Sequence, residues 1–280
     1  MDKYCVTAKQ AASLQSILKR ELPLLPEIAI RQALKKRDVR VNGTRVNTNV
    51  MLNIGDEVVL FTAHPMKEVP VIYQDEEVLI INKPAGLNSD EHEATSFSVL
   101  DWVKLHHPTD EDPSLVHRLD NQTSGLMIIA RNEKARIALE DDFRLGRVIK
   151  QYTALVAGSP RPEKAVMTAW LVKDAGNARV SIHQKELPAG RKIITEYDTI
   201  QSGAVSRLLV TLHTGRTHQI RAHLAFLGHP VLGDEVYGSR EVNRNTSAKG
   251  LQLCATGLSF HPGCGLQQLQ GKRFEIAPPF

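Results

Sequence analysis

The sequence predicts an α+β protein, a mostly antiparallel sheet flanked by helices and loops, with a small α/β unit ahead of it. Three observations lead there. Beyond residue 70, strand-like runs outnumber helical patterns and do not alternate with them, which argues against a doubly wound parallel sheet. The first 63 residues carry a separate order of helix, helix and hairpin. The charge also divides unevenly: the 280 residues carry a net +4, and residues 1–64 hold 10 Lys and Arg against 6 Asp and Glu. The remaining residues hold 25 of each, so the whole excess lies in the first quarter of the chain.

The elements follow in order. Leu14, Ile17 and Leu18 recur at helical spacing up to Leu22, and Pro23 and Pro26 interrupt the pattern. A second helix is expected from Glu27 to Arg37, with Ile28, Ile30, Ala33 and Leu34 apolar. Val39 to Val46 alternates around Asn42-Gly43, the strongest short hairpin signal. A turn at Ile54-Gly55-Asp56-Glu57 leads into the strand Val58 to Phe61. These residues form the expected domain 1–63, followed by a linker over 64–70 and a larger domain over 71–280. In the larger domain, Val78 to Ile81 reads as a buried run stopped at Asn82-Lys83-Pro84-Ala85-Gly86. Helices are expected over Ser98 to Leu105 and Asn132 to Leu145. Strands are expected over Tyr152 to Val156, Ile193 to Ile200 and Arg207 to His213. Thr217 to Leu227 reads as a helix capped by Gly228. Gly158 to Pro162, Gln184 to Arg191 and Gly238 to Gly250 read as surface loops.

Composition excludes several classes. A hydrophobic content of 42% and a charged content of 24% are ordinary for a globular chain. No apolar run is long enough to span a bilayer, and the N-terminus lacks a signal-peptide pattern, so a cytoplasmic protein without membrane contact is expected. Cys5, Cys254 and Cys264 are an odd set with no C-x-x-C pair, which argues against a disulfide framework. A monomer is expected. Excess Lys and Arg in one module suits phosphate neutralisation, although the same charge also suits a mildly basic solvated surface.

The segment His117-Arg118-Leu119-Asp120-Asn121-Gln122-Thr123-Ser124-Gly125 is the most informative. It sets Asp120 in a polar loop just before the apolar run Leu126 to Ala130. A lone loop aspartate ordinarily shapes a turn, so its meaning depends on the rest of the chain. Tyr152 opens a strand, where a buried tyrosine is commonly core. Thr214-Gly215-Arg216-Thr217-His218-Gln219-Ile220-Arg221-Ala222-His223-Leu224 clusters Arg216, His218 and Arg221. Such arginines either coat a solvated helix face or hold a carboxylate ionised and oriented. Gly228 to Gly238 is turn-rich and would shape a pocket wall.

Together these segments resemble the RluA-type family of RNA pseudouridine synthases, through essentially all of residues 71–280. HRLDNQTSG and TGRTHQIRAHL are the specific motifs. The resemblance implies the pseudouridine synthase fold, with Asp120 as the catalytic aspartate and Arg221 as its paired arginine. It implies Tyr152 as the face that stacks on the target base, and Arg118 as an occupant of the space left by a flipped base. His117, Arg216 and His218 are added as candidate RNA contacts. Residues 1–63 resemble the small RNA-binding module named after a ribosomal small-subunit protein, which implicates Lys35, Lys36, Arg37, Arg40 and Arg45 in docking RNA. Isomerising uridine calls for no cofactor and no metal, because every atom of the product is already in the substrate. Asp120 would attack or deprotonate the ribose, and the sequence leaves both routes open. The Tyr152 hydroxyl, directly or through water, is a candidate for taking the proton from carbon 5.

Two places depart from the family pattern. Leu253-Cys254-Ala255 stands where the family usually has Leu-His-Ala, and Leu87 to Glu93 is more acidic than usual. Two other classes compete. His213, His218, His223 and His229 bunch as in a metallohydrolase, but a five-residue spacing turns helical side chains about 140° apart instead of onto one face. A non-catalytic RNA-binding protein would have no reason to keep Asp120, Tyr152 and Arg221 together. The expected partner is RNA, ribosomal before transfer RNA.

Overall fold

The computed structural model describes residues 1–90, 97–174, 176 and 179–280. Part of the acidic departure, residues 91–93, lies outside the described residues. The chain forms two compact units, one of Met1–Val69 and Gly86–His106, the other of Pro70–Ala85 and His107–Phe280.

The first unit contains strands β1 (Asp2–Thr7), β2 (Ala12–Ser13), β3 (Val39–Val41), β4 (Thr44–Val46), β5 (Met51–Leu52) and β6 (Glu57–Thr62). Its helices are α1 (Leu14–Glu21), α2 (Glu27–Lys36) and α3 (Val99–His106). The main sheet has the antiparallel order β1-β6-β3-β4. Leu14, Ile17 and Leu18 of α1 and Ala29, Ile30, Ala33 and Leu34 of α2 bury the apolar stripe that the periodicity announced, against Val39, Val58 and Leu60. Ser13 caps α1 by accepting the Ser16 N–H. Arg37 ends α2 in the left-handed conformation, while Lys35 and Lys36 complement the helix dipole. Asn42 and Gly43 turn the β3–β4 hairpin with φ 49° and 80°. The Asn42 side chain ties that turn to the next one, donating to Asp56 and accepting the Glu57 N–H, both at 2.8 Å. Residues 64–69 are held within this unit: Met66 N–H donates to the Tyr4 hydroxyl and Lys67 N–H to the Leu24 carbonyl.

The second unit is built on strands β7 (Val71–Gln74), β8 (Val78–Lys83), β9 (Ser114–Leu115), β10 (Ser124–Ala130), β11 (Val148–Ala157), β12 (Lys164–Asp174), β13 (Arg179–His183), β14 (Arg191–Gln201), β15 (Val205–Leu212), β16 (Leu253–Phe260) and β17 (Arg273–Glu275). Helices α4 (Glu133–Arg144), α5 (Gln219–Phe226) and α6 (Arg240–Asn245) flank them. Nine strands run in the order β13-β12-β14-β15-β11-β16-β10-β8-β7, with β17 on β16 and β9 on β10. Every described pairing in this sheet is antiparallel except β10 with β16. Leu126, Ile128 and Ala130 point to one face and pack with Val78, Ile80 and α4 residues Ala135 and Leu139.

Two sequence expectations are corrected. The helix expected from Thr217 begins at Gln219, because Gly215 to His218 form a loop and His218 is left-handed at φ 55°. Gly238 to Gly250 contains α6, a six-residue helix with no buried residue and therefore no apolar stripe to announce it. The glycine closing HRLDNQTSG is required by the sheet. Gly125 has φ +118° and pairs with Ala255, and an added Cβ would lie 2.2 Å from the Ala255 carbonyl oxygen. Among the described residues no helix is long and apolar enough to cross a membrane.

Candidate active site

The loop before β10 is pinned from below. Leu119 and Thr123 are buried, and the Thr123 N–H closes a turn on the Asp120 carbonyl at 3.0 Å. The ammonium of the fully buried Lys83, at the end of β8, donates to the carbonyls of Asn121 and Pro84 at 3.2 Å. The backbone is thus fixed while the Asp120 side chain keeps 20% of its surface exposed. That is the arrangement a reacting carboxylate needs, a rigid mount with an accessible end.

Arg221 comes from the first turn of α5. Gln219 holds the entry to this helix. Its amide donates to the Ile194 carbonyl and the Thr195 hydroxyl, and its oxygen accepts from the Thr214 hydroxyl and the Arg216 N–H. Arg221 Nη1 then donates to Asp120 Oδ2 at 3.0 Å. The other edge of the guanidinium makes a bidentate pair with Asp234, Nε to Oδ2 at 2.7 Å and Nη2 to Oδ1 at 3.0 Å. The Asp234 side chain is completely buried and also accepts the N–H groups of Val236 and Tyr237. Burial alone would raise its pKa, but Arg221 and these N–H groups hold it below its ordinary value. Tyr237 lays its ring 5.4 Å from the Arg221 guanidinium carbon.

Asp234 was missed in the sequence, where Gly228 to Gly238 reads only as a pocket wall. The available signal was the adjacent carboxylates Asp234 and Glu235 between two glycines in a turn. Gly238 belongs to the same construction, since a Cβ there would meet the Asp234 carbonyl at 2.2 Å.

Tyr152 follows a bulge in the β11–β16 pairing, between Gln151 and Tyr152, which re-aims the chain locally. It is 5% exposed. Burial first, then the charge of Asp120, push its phenol above the ordinary range, so it stays protonated. That weakens the candidate role of its hydroxyl as a standing base and leaves a neutral aromatic face. Cys254 lies buried on the neighbouring strand, paired in register with Thr153 and with Ser124.

Asp120, Tyr152, Arg118, Arg216, His218 and Arg221 all line one cavity of about 720 Å³. Arg118 and Arg216 are exposed on it. Lys150, not singled out in the sequence, joins this wall with its ammonium 5.0 Å from the centre of the Phe143 ring. His117, a candidate RNA contact in the sequence, lines the same wall half-buried, with one ring nitrogen already engaged. Its Nε2 accepts the Ile128 N–H at 3.0 Å, its ring packs on Phe143 at 5.1 Å, and burial lowers its pKa to about 3. It is a neutral brace between the loop and β10. The four bunched histidines part company: His213 pairs with Glu196, His218 with Tyr237, His223 with Thr195 and His229 with the Ala157 carbonyl. Lys35, Lys36, Arg37, Arg40 and Arg45 lie in the other unit, all exposed.

Comparison with known proteins identifies the family. Residues 77–226 match the family model described as RNA pseudouridylate synthase. The chain is 31% identical to the ribosomal large subunit pseudouridine synthase C of Escherichia coli K12, covering 93% of this chain and 89% of that protein. The protein of the same name from Vibrio cholerae is 30% identical, covering 95% and 89%. Among solved structures, human RNA pseudouridylate synthase domain containing 1 superposes with a TM-score of 0.62 at 23% identity, covering 77% of this chain and 86% of its own, which supports the fold. A family match over more than half of the chain, and 31% identity over nearly all of it, converge on one assignment: the chain belongs to the RNA pseudouridylate synthase family and is an RNA pseudouridine synthase.

Proposed function

We propose that this synthase isomerises uridine in large-subunit ribosomal RNA, with Asp120 as the reacting carboxylate, Arg221 as its partner and Tyr152 as the stacking face for the target base. The observation that carries the reading is the meeting of these three side chains in one cavity, drawn from three distant segments. The substrate rests on the relatives, whose names specify the ribosomal large subunit.

The chemistry fits the residues. The bond from the ribose anomeric carbon to nitrogen 1 breaks, the base turns, carbon 5 bonds to the anomeric carbon, and the proton on carbon 5 leaves. Asp120 starts this by attacking or deprotonating the ribose, and it must be ionised to do either. Arg221 supplies the opposing charge at 3.0 Å. The base must first leave its stack, which costs a few kcal/mol. Stacking on an aromatic face such as Tyr152 returns about 1–3 kcal/mol. Arg118, Lys150 and Arg216 supply cations on the cavity wall for the backbone of a flipped nucleotide.

The test is pseudouridine mapping of total RNA from cells with and without the gene, with the deletion complemented by wild type or by Asp120→Asn. Loss of a large-subunit site that only wild type restores is expected. Loss confined to transfer RNA would replace the proposed substrate.

The first unit is read as the RNA-docking module. None of Lys35, Lys36, Arg37, Arg40 or Arg45 forms an ion pair among the described residues, and Arg40 sits directly across from Arg45 in the hairpin. Like charges facing each other across strands oppose folding, and a phosphate between them relieves that repulsion. Changing all five to Gln in the full chain should flatten the dependence of log affinity on log salt. The slope falls by about 0.7–0.9 for each phosphate that is no longer neutralised. An unchanged slope would show that this face does not dock RNA.

A further inference from the structure

Among the described residues the Asp120 carboxylate is contacted on one oxygen only. Arg221 Nη1 lies 3.0 Å and His218 Nε2 3.9 Å from Oδ2, whereas Oδ1 accepts no hydrogen bond among the described residues. What His218 presents to that oxygen depends on which ring nitrogen carries the proton, and its far side determines this. The Tyr237 hydroxyl lies 2.9 Å from His218 Nδ1 and accepts the Val180 N–H at 2.9 Å. With that N–H occupying an acceptor position, the phenol proton is available for Nδ1. The opposite tautomer would leave the phenol proton without a protein acceptor among the described residues and turn the Nε2 lone pair toward a carboxylate. Both are unfavourable.

We propose that His218, held as its Nε2–H tautomer by Tyr237, anchors Asp120 through Oδ2 and leaves Oδ1 as the reacting oxygen. This rests on the reading of Asp120 as the reacting carboxylate. His218 is then a positioning residue, and so is Tyr237 behind it. The backbone supports the same assignment. His218 stands at φ 55°, an uncommon conformation for a residue other than glycine, and the Gln219 clamp holds it there. That conformation keeps the imidazole between Tyr237 and Asp120. The 3.9 Å separation is longer than a hydrogen bond, as is common for catalytic contacts before substrate binds. Burial depresses the pKa of the ring, which keeps it neutral and so a single donor toward Asp120.

Glutamine at 218 would carry an N–H donor to about the place of Nε2, whereas asparagine would stop at the place of Nδ1. The experiment uses the full chain and a large-subunit ribosomal RNA transcript labelled with tritium at uridine carbon 5. Its readout is single-turnover tritium release. His218→Gln is expected to stay within about tenfold of wild type, and His218→Asn to fall on the order of 100-fold with KM unchanged. Asparagine is the side chain that better tolerates the left-handed backbone, so misfolding would produce the opposite order. A second readout needs no RNA. Ring-nitrogen NMR of the ¹⁵N-histidine protein is expected to show His218 protonated on Nε2, changing to a tautomer mixture in Tyr237→Phe. An Nδ1–H tautomer in wild type, or Gln no better than Asn, overturns the proposal. If wild type releases no tritium, the proposed substrate has failed, and the NMR result still decides the tautomer.

Discussion

Asp120→Asn is expected to lower the single-turnover rate by about four orders of magnitude. RNA affinity should stay within about threefold, because docking rests on phosphate contacts elsewhere. Asparagine can neither attack the ribose nor deprotonate it. The fold should survive, since Arg221 keeps its bidentate pair with the buried Asp234 when Asp120 loses its charge. The measurements are tritium release, RNA affinity and thermal unfolding on one preparation. A variant that still turns over at a tenth of the wild-type rate would remove Asp120 from the reaction. One that has lost its fold would show that the Asp120–Arg221 contact is structural.

Arg221 is expected to give the largest combined effect. Arg221→Met leaves Asp234 ionised and buried without a countercharge, which should destabilise the protein by about 3–5 kcal/mol as well as abolish activity. The double variant Arg221→Met/Asp234→Leu removes the stranded charge. It is expected to regain most of that stability and none of the activity, which separates the structural from the chemical role of the guanidinium. Acid sensitivity provides a control. Asp234 has its pKa held below the ordinary 3.8, so its contribution is present above that pH and is lost as pH falls further. Wild type should therefore lose stability below about pH 4 more steeply than the double variant. Equal acid profiles, or a stable single variant, would mean that Asp234 does not depend on Arg221.

Much of the first unit could be read from local pattern. The two helices, the Asn42-Gly43 hairpin and the strand after Asp56 fall within a residue or so of their expected limits. Each is set by neighbours three or four residues away, or by one turn dipeptide. Strands β12 and β13 went unassigned, although each alternates buried positions, Ala169 and Leu171 in one and Val180 and Ile182 in the other, with more exposed ones. The α5 start was placed early because Arg216 and His218 look like first-turn residues. Only the clamp made by Gln219 shows that the chain is still a loop there.

The sequence by itself identified the family, the α+β class and the candidate trio Asp120, Tyr152 and Arg221, because motif identity needs only residues adjacent in the chain. Tertiary structure decided how those residues meet. Asp120 meets Arg221 across 101 positions, and Arg221 is oriented by a carboxylate that read only as a turn. His117 and His218 lie on the walls of the same cavity, yet one is a neutral brace and the other faces Asp120. Nothing in a histidine's neighbours along the chain separates these roles. Which N–H or O–H meets each ring nitrogen is set by sheet register and loop closure, and those exist only once the chain has folded.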